Sequence, residues 1–103
     1  VSAYTNILEP IINKINKKIT HAMFVLIPKT EKKELIFKKE DTIYKEENKI
    51  GYYFCNNNNG SLKFVNMKDI NPTQNQALIF SKSLKPENYS STDTHKAYIY
   101  FEF

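Results

Sequence analysis

Apolar side chains recur every three or four positions from Tyr4 to Ile19: Tyr4, Ile7, Leu8, Ile11, Ile12, Ile15 and Ile19. That period puts them on one face of a helix, with Asn13, Lys14, Asn16, Lys17 and Lys18 on the other. Thr5 or Asn6 is the expected N-cap, so that Pro10 falls in the first turn, where its missing N–H costs little. The pattern then changes. His21–Ile27 (HAMFVLI) is a short, almost unbroken apolar run stopped by Pro28, which predicts a central strand covered on both faces. Residues 34–38 (ELIFK) and 42–45 (TIYK) predict two further strands, the second at a sheet edge because charges flank it.

Ile50–Cys55 (IGYYFC) and Ser61–Asn66 (SLKFVN) flank the run Asn56-Asn57-Asn58-Asn59-Gly60. Asparagine and glycine tolerate positive φ, so the expectation is a hairpin in which Ile50, Tyr52 and Phe54 share a face with Leu62 and Phe64. Asn71-Pro72-Thr73-Gln74 reads as a helix start. The run that follows, 76–84, fits either a short second helix near 72–84 or a strand. Residues 85–94 read as a polar loop. The last segment alternates: Ala97, Ile99, Phe101 and Phe103 on one side; Lys96, Tyr98, Tyr100 and Glu102 on the other. The expected architecture is a single domain, 1–103, of the α+β class, with one N-terminal amphipathic helix packed on an antiparallel sheet of five to six strands.

Composition narrows the chemistry. The chain has 103 residues, fifteen lysines, no arginine and a net charge of +4. Lysine offers a flexible point charge and lacks the bidentate fork that grips phosphate, so the basic surplus argues only weakly for a nucleic-acid partner. Asparagine and isoleucine are abundant too, as an A+T-rich coding sequence would produce. The lone Cys55 excludes an internal disulfide and a zinc site built on cysteine pairs. It favours a reducing, cytoplasmic setting over a disulfide-free secreted effector. Two glycines make no phosphate-binding loop, and no acidic cluster suggests calcium or magnesium. No cofactor, metal or membrane segment is expected.

Two functional readings remain. Tyr53, Tyr98 and Tyr100, interleaved with Lys63 and Lys96, are candidates to line an exposed sheet face. Tyrosine is enriched at interaction hot spots, which points to a small non-catalytic domain that binds a protein partner through that face or through an edge strand. The second reading starts from His21 and His95, each at the start of a strand. Two histidines, one taking and one giving a proton, can drive phosphoryl transfer within RNA. Thr92 and Thr94 supply neighbouring hydroxyls. The string Ser91-Thr92-Asp93-Thr94-His95 resembles the C-terminal end of barnase-type ribonucleases. The resemblance implies an RNA-cleaving toxin or effector domain acting through His95, with an acidic immunity protein as partner. That family's arginine has no counterpart here.

Overall fold

The computed structural model describes residues 5–37, 49–84 and 86–103. It is α+β, with one helix and two antiparallel sheets in place of the single larger sheet expected. Helix α1 (Thr5–Ile15) leads into β1 (His21–Ile27), β2 (Leu35–Phe37), β3 (Lys49–Phe54), β4 (Leu62–Lys63), β5 (Ala77–Ser81), a single 3-10 turn (Lys82–Leu84), β6 (Glu87–Tyr89) and β7 (Lys96–Glu102). The four-stranded sheet has the order β1-β7-β3-β5, and the three-stranded sheet β2-β6-β4. The strand expected at 42–45 lies outside the described residues.

β7 is the spine. It pairs with β1 on one side and β3 on the other, and its two faces carry two cores. Ile99 and Phe101 face α1 and form a cluster with Leu8 and Ile19. Phe101 is fully buried, a contribution of about 2–3 kcal/mol from apolar area alone. Its ring lies over Gly51, its cross-strand partner, and any Cβ there would sit 2.0 Å from the ring. On the opposite face Tyr98 joins Ile50, Tyr52, Phe54 and Phe80, against Leu62 and Phe64 from the region of the second sheet. Tyr52 stands edge-on to Tyr98 at 5.1 Å, and Phe64 edge-on to Phe80 at 5.0 Å, the geometry ring quadrupoles prefer.

Several local expectations are corrected. As described, α1 already includes Thr5, so Pro10 lies within the helix and donates no backbone bond. Asn16, at φ 53°, ends the helix in the left-handed conformation. β3 and β4 do not form a hairpin. The asparagine-rich loop carries the chain from one sheet to the other, although Ile50, Tyr52, Phe54, Leu62 and Phe64 do meet in one core. The proline-led start at 71–74 opens no helix, with Asn75 at φ 65°, and of the two alternatives for the run after it the strand, β5, is the one formed. The polar loop contains β6. β1, expected in the middle of the sheet, is an edge strand: among the described residues it pairs with β7 alone.

Candidate functional site: an uncharged edge strand beside an apolar cleft

The hydrogen-bond parity of β7 determines how β1 presents its backbone. Lys49 and Phe103 exchange both backbone bonds, and Cys55 N–H donates to Ala97 C=O, so the odd-numbered residues of β7 bond to β3. The even-numbered ones therefore turn to β1, where their partners are Met23, Val25 and Ile27. Ala22, Phe24 and Leu26 consequently direct their N–H and C=O groups away from β7. The strand has no lysine, aspartate or glutamate, no glycine and no proline. Its side chains are large, apolar and exposed: Met23 56%, Phe24 46% and Leu26 59%. Natural edge strands are ordinarily blunted by lysine, proline or a bulge within the strand. Here the lysines stand just outside, at Lys17, Lys18 and Lys29.

One face of the same strand forms the wall of a cleft. Met23, Val25 and Ile27 line a cavity of about 390 Å³ together with Tyr98 and Tyr100 of β7, Ile50 and Tyr52 of β3, and Phe80 of β5. Ile36 and Pro86 border it from the side of the second sheet. The polar part of the lining is Lys82, whose ammonium is paired with Glu102, and the Tyr100 hydroxyl donates to the same carboxylate. The cleft therefore presents apolar surface with its charges already neutralised.

The sequence-derived site residues are scattered. Tyr53 faces α1 and donates its hydroxyl to Asn75 Oδ1 at 2.8 Å, whereas Tyr98 and Tyr100 lie on the opposite face of the sheet. Tyr98 is buried and takes a hydrogen bond from Asn88, so it is unavailable to a partner; Tyr100 is half-buried in the cleft wall. Lys63 is exposed on β4, in the other sheet. The tyrosines thus do not form one platform. His21 pairs with Glu102, and His95 precedes Lys96, which pairs with Ile27. Seven residues of extended chain separate the two ends, roughly 23 Å, so the histidines do not share a site. Among the described residues each imidazole has a neighbouring threonine hydroxyl as its hydrogen-bond partner, Thr20 for His21 and Thr94 for His95. Thr92 is bonded to Asn59, within the loop network.

Lys96 is the largest departure from the sequence reading. Expected beside tyrosines on an open face, it is 1% exposed. Its ammonium donates to Gly60 C=O at 2.8 Å, Tyr89 C=O at 2.9 Å and Asn88 Oδ1, which uses all three of its protons. The acceptors are neutral. Desolvation, reinforced by the nearby charge of Lys33, therefore lowers its pKa to about 8. Gly60 is required by this approach: a Cβ would lie 2.7 Å from Tyr89 O. Around the lysine, Asn59 Oδ1 receives Thr92 N–H and the Ser91 hydroxyl, and Asp93 receives Ser91 and Asn59 N–H. Those bonds, with that of Ser91 largest, lower the Asp93 pKa. A lysine with lowered pKa can serve as a general base. This one is enclosed and bound to carbonyl oxygens, with no nucleophilic hydroxyl on its nitrogen, so its arrangement is that of a structural pin. It ties the loop 56–60 to β6.

The chain matches no protein-family model, no curated protein and no solved structure. Among the described residues no cluster of histidine, cysteine, aspartate or glutamate is placed to hold a metal, and no helix is long and apolar enough to cross a membrane.

Proposed function

We propose that this protein is a small, non-catalytic interaction domain that binds an apolar segment of a protein partner in the cleft walled by β1. The observation that carries the reading is the cleft: Met23, Val25 and Ile27 wall it together with Tyr98 and Ile50, and its Lys82 is already paired with Glu102. Binding clefts are lined mainly by hydrophobic and aromatic side chains with few polar groups, and this one has that lining. The tyrosine with a part in this binding is Tyr100, which lines the same cleft.

The test is titration of a short, blocked valine/threonine peptide into the labelled protein, followed by amide shifts in nuclear magnetic resonance. The largest shifts are expected at Met23, Val25 and Ile27. Met23→Lys places a charge on the exposed part of the cleft wall; the variant should stay folded and lose the response. Shifts centred elsewhere, or peptide binding unaffected by that variant, would refute binding in the cleft.

A further inference from the structure

We propose that Lys96 and Asn88 are the two halves of a self-forming isopeptide cross-link, in which the lysine nitrogen displaces ammonia from the asparagine carboxamide and ties β7 to β6. Both side chains are enclosed, Lys96 at 1% and Asn88 at 2% exposure. They meet directly: Lys96 Nζ donates to Asn88 Oδ1. The amide carbon lies one bond, about 1.2 Å, beyond that oxygen. Gly60 C=O and Tyr89 C=O hold the same nitrogen. A neutral amine has two N–H groups and one lone pair. It keeps both backbone carbonyls, and the lone pair falls to the third position, which is Asn88. Enclosure excludes the water that would compete for the carboxamide carbon.

The chemistry balances without an added reagent. Nζ forms a bond to Cγ of Asn88, the bond from Cγ to Nδ2 breaks, one proton passes from Nζ to Nδ2, and ammonia leaves. Nothing is oxidised or reduced. Two features of the site favour the reaction. Burial, reinforced by the charge of Lys33 from the segment between β1 and β2, brings the Lys96 pKa to about 8, so a neutral, nucleophilic amine forms near physiological pH. Among the described residues no carboxylate pairs with this nitrogen to hold it as an ammonium; Asp93, in the neighbouring loop, is bound to Ser91 and Asn59. The second feature is Tyr98, whose ring centre lies 5.8 Å from Nζ and whose hydroxyl accepts from Asn88 Nδ2 at 3.1 Å. The leaving nitrogen thus rests on a hydroxyl. Burial raises the Tyr98 pKa against the opposing effect of the Asn88 bond, which keeps that hydroxyl protonated and able to give Nδ2 its third proton. The structure is the unlinked form, the one whose ammonium titrates. Linkage removes that charge and makes the pin a covalent bond between the two sheets.

Intact mass spectrometry of the full chain, as isolated and after incubation at pH 9, tests this. The population should become lighter by one ammonia, about 17 Da; protein already lighter by that amount as isolated supports the proposal equally. Trypsin should no longer cut after Lys96, and the loss should localise to the peptide 83–103 as a bridge from Asn88 to Lys96. At pH 7, where about a tenth of the amine is neutral, conversion should be roughly tenfold slower than at pH 9. Tyr98→Phe keeps the ring in the core and removes the hydroxyl; it should fold and link about a hundredfold more slowly. Linkage at the parent's rate would overturn the role given to Tyr98. Lys96→Met and Asn88→Ala should show no loss from this peptide. An unchanged mass after days at pH 9, in protein that remains folded, overturns the proposal. So does an ammonia loss that maps to Asn59-Gly60, where a succinimide would form, or one that persists in Lys96→Met.

Discussion

Raising the pH from 7 to 9 should make this protein more stable, and Lys96 is the reason. Its ordinary pKa is 10.5; burial brings it to about 8 in the folded chain, with Lys33 as a second, electrostatic cause. The folded state therefore gives up this proton before the unfolded state does. Between the two values the unfolded chain binds more protons, so stability climbs with pH, is complete above the unfolded value, and is lost again as pH falls through the folded one. The shift corresponds to about 3 kcal/mol in total, of which about 1 kcal/mol appears between pH 7 and pH 9. The window closes there because other groups oppose the trend. Burial raises the Cys55 thiol above its usual 9.0, and Tyr89 and Tyr98 lie above their usual 10.0, so each favours the fold less as pH passes those values. The assay is urea unfolding at pH 7, 8 and 9 at constant ionic strength, with m held common. Lys33→Gln removes a repelling charge from an exposed position and should flatten the rise; Lys96→Met, if folded, should eliminate it. A wild-type midpoint that stays level or falls across the window would refute the buried, carbonyl-bound ammonium.

Gly51→Ala should destabilise the chain by about 1–3 kcal/mol, since its Cβ needs space held by the fully buried Phe101 ring and the core resists overpacking; a midpoint unchanged in thermal unfolding would mean that the ring is not seated on the strand. With His21 and His95 at opposite ends of the sheet, purified protein should leave total RNA and transfer RNA intact. Cleavage by the parent that disappears in His95→Ala would reinstate the nuclease reading.

The locally determined parts of the fold were legible. Isoleucines at helical spacing gave α1, and strict alternation gave β7, because each pattern is written within one element. Pairing was not legible, because it is decided by residues far apart in sequence. The loop Asn56–Gly60 carries strong turn chemistry, which suggested a hairpin, but it is held by Lys96, Ser91 and Thr92 from the far end of the chain and passes between two sheets. The same remoteness hid the position of β1. An apolar run of seven residues is consistent with a strand buried on both faces, and only the order β1-β7-β3-β5 reveals an edge. Lys96 was misplaced for a related reason. Alternation assigns it correctly to the face of Tyr98 and Tyr100, but whether that face meets water depends on the second sheet. The density of asparagine and serine in 56–61 and 88–91, each able to accept from an ammonium, was the one available hint.

Mapping a bound apolar peptide by amide shifts tests the central claim most directly. The account predicts shifts concentrated on Met23, Val25 and Ile27 and on their neighbours across the cleft, and their loss in Met23→Lys. Shifts confined to α1 or to β4, or a response that survives Met23→Lys, would contradict binding in the cleft.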